Sequence, residues 1–172
     1  MRYQHAGESK AVTKRKELVL YQALRLASVA FEYQFHLPFK SCGLNSDTTR
    51  AFVDFVILKP WGYILLECDE DQHRGYDPSC DVRRDFDMAA SVALGSGHKL
   101  VIIRYNPDGY RVGGKTRVES QKDRMARLLD LLEHEPTAFE RIFLCYDQDE
   151  HATLPQVAAS WGVSVQEVSR IA

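Results

Sequence analysis

Two apolar runs, Phe52–Leu58 and Tyr63–Asp69, stand on either side of Lys59-Pro60-Trp61-Gly62, and this pairing constrains the chain more than any other feature. Each run has the length of a strand. A four-residue link rich in turn formers leaves room only for a reversal, so the two pair as an antiparallel hairpin. Apart from their acids, both runs are apolar at successive positions and hence on both faces. A strand buried on both faces needs a layer on each side, which places the hairpin in a central sheet covered by helices.

The flanking sequence supplies those layers. Leu18, Tyr21, Leu24 or Arg25, and Ser28 or Val29 recur near 3.6 residues and predict a helix over Thr13–Val29, with Thr13 as cap and Lys16 or Glu17 in its first turns. Phe31–Leu37 alternates apolar and polar residues, the pattern of a strand with one apolar face, and Pro38 closes it. Ser41–Thr49 reads as a loop. Glu70–Cys80 reads as a polar loop with turn residues Gly75, Asp77 and Pro78. A helix over Asp81–Leu94 follows, with Val82, Phe86, Ala89, Ala90 and Ala93 as its stripe and Gly95-Ser96-Gly97 as its end. Leu100–Tyr105 is a buried strand, Asn106–Gly109 a turn, Glu119–Leu132 a helix and Phe139–Tyr146 a last strand. Strands separated by helices imply parallel crossovers beside the hairpin. The expected class is therefore α/β, with a mixed central sheet flanked by helices.

Residues 1–13 read as a flexible arm and 14–150 as the α/β domain. Residues 151–172 read as a C-terminal helical pair, Leu154–Trp161 and Val165–Ala172, about a Gly162-Val163-Ser164 turn in helix-turn-helix fashion. The second of these offers Gln166, Ser169 and Arg170 but little positive charge. Closing the apolar edge of the domain is at least as good a role for it as reading a DNA groove.

A length of 172 residues suits one domain, and a net charge of −2 excludes a global positive field. Basic residues gather locally at Lys10–Lys16, at Arg83-Arg84 and across Arg111–Arg127. The four cysteines, Cys42, Cys68, Cys80 and Cys145, contain no CxxC pair and do not suggest a zinc ribbon. They read as reduced cysteines of an intracellular protein, although Cys42 and Cys80 fall in expected loops beside the acids, where a metal or a disulfide could form. No apolar run approaches the roughly 18 residues of a membrane span, and the N-terminus lacks a secretory signal pattern. The expectation is a protein of the cell interior, in no particular compartment and without a membrane partner.

The chemistry concentrates on the hairpin. Glu67 and Asp69 are two positions apart on one strand and share a face, and hairpin pairing brings Asp54 towards them. Three carboxylates at adjoining strand ends call for solvent, a base or a cation. Hard divalent ions prefer such oxygen ligands, so Mg2+ or Mn2+ is the expected cofactor, able to activate a water and polarise a phosphodiester. Solvated strand ends are the plainer reading of any one of these acids. His73 could orient water, transfer a proton or contact phosphate. Arg84 could clamp phosphate or neutralise developing charge, or simply pair with Asp81 on its own helix. Asp85 could orient Arg84 or His73, or favour the helix start. Glu17 and Gln72 are supporting candidates, and Glu32, Gln34, Tyr76, Arg104 and Lys115 are further contact candidates of open direction.

These residues resemble a known pattern. Val53-Asp54-Phe55, then Glu67-Cys68-Asp69-Glu70-Asp71-Gln72-His73, Tyr76, Asp81, Arg84-Asp85 and Val101–Asp108 resemble the PD-(D/E)XK restriction-endonuclease-like superfamily, in its very-short-patch-repair-like and DUF559-like branch. The resemblance spans about residues 15–146. It implies a restriction-endonuclease-like fold and metal-dependent hydrolysis of DNA. It makes Asp54 the first metal ligand, Glu67 the second and the Cys68 carbonyl a further contact. Asp69 stands where the motif usually has lysine, and Val53 where it has proline. An aspartate cannot supply the lysine's charge, so Asp69 would bind metal while His73 or Arg84 takes the base or electrostatic role. The leading expectation is a DNA endonuclease, nicking or structure-selective. A noncatalytic DNA-binding or assembly module of the same fold and a metal-dependent RNA nuclease are the alternatives.

Overall fold

The computed structural model describes residues 7–38, 50–73, 78–93, 97–137, 139–147 and 168–171, and at 7–15, 73, 78–81, 93 and 168–171 the backbone alone. The expected loop over Ser41–Thr49, Arg74, Tyr76 and the expected helix Leu154–Trp161 lie outside these residues.

Strands β1 (Glu32–Pro38), β2 (Arg50–Lys59), β3 (Gly62–Cys68), β4 (Lys99–Tyr105), β7 (Glu140–Leu144) and β8 (Val168–Ile171) form one sheet in the order β1-β2-β3-β4-β7-β8. The β1–β2 and β2–β3 pairs are antiparallel and the other three pairs are parallel. The architecture is thus a mixed sheet flanked by helices. Between β4 and β7 a two-stranded ribbon intervenes, β5 (Tyr110–Val112) and β6 (Lys115–Arg117). The helices are α1 (Gly7–Leu26), α2 (Pro78–Ala93) and α3 (Gln121–Leu132).

The hairpin pairs from Phe55↔Leu66 to Lys59↔Gly62. Gly62 is required where β3 begins beside β4, because a Cβ there would lie 1.9 Å from the Lys99 carbonyl oxygen. Successive residues of β3 and β4 alternate between two cores, as strands buried on both faces must. Ile64, Leu66, Val101 and Ile103 pack with Leu20 and Leu24 of α1 and Leu128 and Leu132 of α3. Leu65, Leu100 and Ile102 pack with Met88 of α2.

Several expectations need correction. α1 starts at Gly7, so Gly7–Thr13 is helical instead of a loose arm. Of its expected stripe Leu24 is buried and Tyr21 packs on the core, but Leu18 is exposed and Leu20 takes its place, an i,i+4 pair with Leu24. The helix ends at Leu26, with Ser28 in the left-handed region (φ 58) and the Ser28 and Val29 amides bonded back to Arg25 and Leu24. α2 starts at Pro78, the proline standing at the first helical position, where a missing N–H costs no bond. Cys80 is therefore helical and not in a loop. Its inward stripe is Val82, Asp85 and Met88, with an acid in the middle. Glu70–His73 is a short 3-10 turn. The Val168–Ile171 part of the expected second C-terminal helix is instead strand β8, bonded to β7.

The first two strands twist abruptly. Phe55 and Ile57 belong to the α1/α3 core, whereas Ala51 and Val53, of the same parity, belong to the α2 core. The chain through β1 switches at the same level: Phe31, just before the strand, packs on the first core and Phe35 and Leu37 on the second. The pivot is Gln34, at φ 52, between the pairs Tyr33↔Phe55 and Phe35↔Val53. Its opposite number on β2 is Asp54.

Candidate functional site

Asp54 sits at this pivot, one residue beyond the last β2–β3 pair. Its Oδ2 accepts from the Cys68 amide at 2.8 Å, which bridges the two strands where the ladder stops. Its Oδ1 accepts from Gln34 Nε2 at 3.1 Å, and the same amide nitrogen donates to Glu17 Oε1 of α1 at 2.5 Å. The Tyr33 hydroxyl also bonds Glu17. Burial, reinforced by the fields of Glu17 and Asp69, pushes the Asp54 carboxyl up to about 6 against the opposing pull of the Cys68 amide and Arg84.

Glu67 is the next-to-last residue of β3 and is 3% exposed. Arg84 of α2 donates from Nη2 to its Oε1 at 3.2 Å and to the Phe52 carbonyl at 2.6 Å, tying α2 to both strands of the hairpin. Burial raises the Glu67 carboxyl well above its ordinary value, and the nearby Asp54 adds to this despite Arg84. Glu70 opens the 3-10 turn beyond β3. Its Oε1 is buried without a hydrogen-bond partner, and burial with the fields of Asp54, Glu17 and Asp69 brings its carboxyl to about 7. Asp71 and Gln72 in the same turn take left-handed φ values of 49 and 56, a conformation that needs outside support. Three bonds supply it. The Asp71 amide donates to Asp108 Oδ2 at 2.8 Å, the Gln72 amide to the Asp69 carbonyl at 3.1 Å, and Gln72 Nε2 to Asp147 Oδ1 at 3.1 Å. Asp108 itself, though burial works against its ionisation, is held below the ordinary carboxylate range by bonds from Lys16 and the Asp71 amide.

Behind the acids lies a buried ionic cluster. Arg104 donates from Nε to Asp69 Oδ2 at 2.5 Å and from Nη1 to Asp85 Oδ1 at 2.8 Å. Arg141 donates from Nε to Asp85 Oδ2 at 2.9 Å, and the Tyr146 hydroxyl bonds Asp69 Oδ2. Two arginines balance two aspartates here, all four at most 2% exposed. Such a cluster survives burial only because each charge is paired and bonded.

No family model matches the chain, and no curated protein matches it. Among solved structures, a protein of unknown function, AF1548, aligns with a TM-score of 0.35 at 8% identity, over 87% of this chain and 66% of its own. The chain thus spans just under two thirds of that protein. A likeness this slight carries no argument about fold or function. The site must be read from its own residues.

The structure brings Asp54 and Glu67 together across the hairpin, and α1 and α2 add Glu17 and Arg84 to them. It separates Asp69 and Asp85 from them in role: both carboxylates are committed to Arg104, with Tyr146 and Arg141 as their further partners. Asp69 Oδ2 is thereby taken by Arg104 and Tyr146, while the Asp69 field still acts on Asp54, Glu67 and Glu70. Cys68 contributes its amide, and its buried thiol is raised far from ionisation, chiefly by burial. Gln72 braces the turn through Asp147. His73 closes the turn, and its side chain lies outside the description, as do Cys42 and the Cys80 thiol. Of the open-ended candidates, Arg104 is internal, Glu32 and Lys115 are exposed, and Gln34 joins Asp54 to Glu17. Sequence reading missed Glu70. Its signal was its place directly after two alternating acids at a strand end.

Among the described residues, no three His, Cys, Asp or Glu side chains stand ready-made around an ion. The chemistry of the donors nonetheless suits a hard cation. Asp54, Glu67 and Glu70 offer only oxygen, all three are destabilised as anions, and the Glu70 Oε1 is buried and unpartnered.

Proposed function

We propose that this protein is a metal-dependent DNA endonuclease of the PD-(D/E)XK kind, with Asp54, Glu67 and Glu70 holding Mg2+ or Mn2+. The observation that carries the reading is the crowding of these acids with Glu17 at the point where β2 and β3 part, beside Arg84. When bound, the ion supplies Lewis acidity towards the phosphodiester and lowers the pKa of an attacking water. Arg84 donates to a non-bridging phosphate oxygen and offsets charge developing there. The attacking water releases its proton to solvent, because the Glu70 carboxylate is taken up as a ligand. In this scheme the third motif position is not catalytic. Asp69 pairs with Arg104 in the interior, and the positive role passes to Arg84.

The test is cleavage of supercoiled, branched or mismatched DNA with Mg2+ or Mn2+. Glu67→Gln should fold normally and lose about a hundredfold or more in rate, the scale of removing one oriented electrostatic group. Glu70→Gln should lose a similar factor. Equal rates in wild type and Glu67→Gln across a metal series would remove the catalytic assignment. The Asp69–Arg104 pair, which takes the motif's third position out of the site, favours a second reading, a noncatalytic DNA-binding module. Tight DNA binding with no turnover under any metal would select it.

A further inference from the structure

The acids account for neither the basic stretch Arg111–Arg127 nor the ribbon that begins it. Arg111, Lys115, Arg117, Lys122, Arg124 and Arg127 stand there against only Glu119 and Asp123, in a chain of net charge −2. The ribbon pairs Tyr110↔Arg117, Arg111↔Thr116 and Val112↔Lys115, and closes through Gly113 and Gly114, both at positive φ with open space around them. Tyr110 and Val112 root it in the α1/α3 core, whereas Arg111, Lys115, Thr116 and Arg117 are exposed. Arg117 Nε meets Glu119 at 2.8 Å, and the Arg111 and Lys115 side chains have no partner among the described residues.

The ribbon is tied to the acidic site. The Arg111 amide donates to Asp147 Oδ1 at 2.5 Å, the oxygen that also accepts from Gln72, and the Asp147 amide donates to Gln72 Oε1 at 2.7 Å. Gln72 belongs to the turn that carries Glu70. One residue, Asp147, therefore links the root of the ribbon to the turn that presents the acids.

We infer that the β5–β6 ribbon is an arm that holds duplex DNA against the acidic site, with Arg111, Lys115 and Arg117 on phosphates along the groove it enters. This rests on the nuclease reading of that site. A two-stranded ribbon fits the major groove of B-form DNA, roughly 12 Å wide, and its exposed cations meet the phosphates along it. The major groove of A-form RNA is too narrow and deep for it. The attachment through Asp147 and Gln72 sets the duplex at a fixed distance from Glu70, which lets a contact without sequence content position the scissile bond.

The test is binding of the 172-residue chain to a short labelled B-form duplex, by fluorescence anisotropy in EDTA across a salt series, with cleavage in Mn2+ scored separately. The variant R111A/K115A/R117A changes only exposed side chains, and an unchanged melting temperature would verify its fold. It should weaken binding about tenfold or more and reduce the slope of log Kd against log salt by about 2 to 3, at roughly 0.9 per lost phosphate contact. Arg25→Ala, at the exposed end of α1, should leave both unchanged. Lys115→Glu should weaken binding further than Lys115→Ala. Unchanged affinity and slope in the triple variant would overturn the arm, even if the enzyme cleaves. Equal ribbon dependence for duplex RNA would also overturn it. Ribbon-dependent DNA binding without cleavage would uphold the arm and remove the nuclease reading. Absence of duplex binding by the wild type would overturn both.

Discussion

Asp54 belongs both to the fold and to the proposed site, with opposite preferences. Its Oδ2 secures the Cys68 amide where the strands part, which any oxygen acceptor could do. Its charge would serve the proposed metal site and costs the fold. The carboxyl stands at about 6, against about 3.9 for an unperturbed aspartate. Between these values the folded state holds a proton that the unfolded state has released. The contribution to stability is thus present below the unfolded value and lost as pH rises through about 6. Glu70, at about 7, acts in the same sense over a slightly higher range. Asp54→Asn keeps an acceptor for Cys68 and removes the charge, so it should raise the melting temperature at pH 8 and flatten the pH profile. Two pKa units correspond to at most about 3 kcal/mol, so a gain on the order of 5 °C is expected in a chain this long. Scanning fluorimetry from pH 5 to 8 in EDTA decides the matter. Parallel profiles for the two proteins would mean that burial does not burden Asp54.

At the scale of elements, α2 matters most, because it carries Arg84 to Glu67 and is held to the sheet by a charge. Asp85 lies in its inward stripe and receives both Arg104 of β4 and Arg141 of β7. Asp85→Ala leaves two guanidiniums short of a partner in the interior, and removing one side of a buried pair costs about 3–5 kcal/mol. Urea unfolding should show that loss with an unchanged m-value, and a cost under about 1 kcal/mol would show that the cluster does not anchor α2. An inward acid such as this one is also where pattern reading fails. Apolar periodicity located β2, β3, β4, β7 and the body of all three helices, because burial on one or two faces leaves a direct trace. On α2 it found Val82, Phe86 and Ala89 but not Asp85, which is inward only by virtue of arginines that arrive from strands far along the chain. The β5–β6 ribbon was legible in principle: Gly113-Gly114 between short alternating runs is a two-residue hairpin signal. It escapes a periodicity reading because the runs are only three residues long and half charged. Val168–Ile171 has helical spacing that β7 overrides by offering an unsatisfied edge. Asp54 and Glu67 were placed by register alone, whereas the withdrawal of Asp69 depended on Arg104 and Tyr146, which no local spacing reveals.

Across the whole molecule, the parallel strands β3, β4 and β7 run in one direction, and their carboxyl ends open onto one rim. Asp69 leaves β3 there, Asn106 leaves β4, and Asp147 follows β7 two residues behind Cys145, whose carbonyl Asn106 Nδ2 holds at 2.7 Å. Open α/β sheets present ligand sites at this rim because helices cover both faces and leave the strand ends free. The rim of this protein joins destabilised carboxyls on the β3 side to a basic ribbon beyond β4. A cation that satisfies the carboxyls should therefore stabilise the entire fold. By linkage, an ion at a hundred times its Kd adds about 2.7 kcal/mol, or roughly 5–10 °C in a domain of this length. Protons compete for the same oxygens, so the Mn2+ shift should be small at pH 5.5, where Asp54 and Glu70 hold protons, and should approach its full size by pH 8. Glu67→Gln should lose most of the shift while melting at or above the wild-type temperature in EDTA, because it no longer buries an acid that resists ionisation. Melting curves with and without Mn2+ at the two pH values, for both proteins, separate this from diffuse binding to surface acids. Diffuse binding would give equal shifts in wild type and variant, and that result would take the metal site away from this rim.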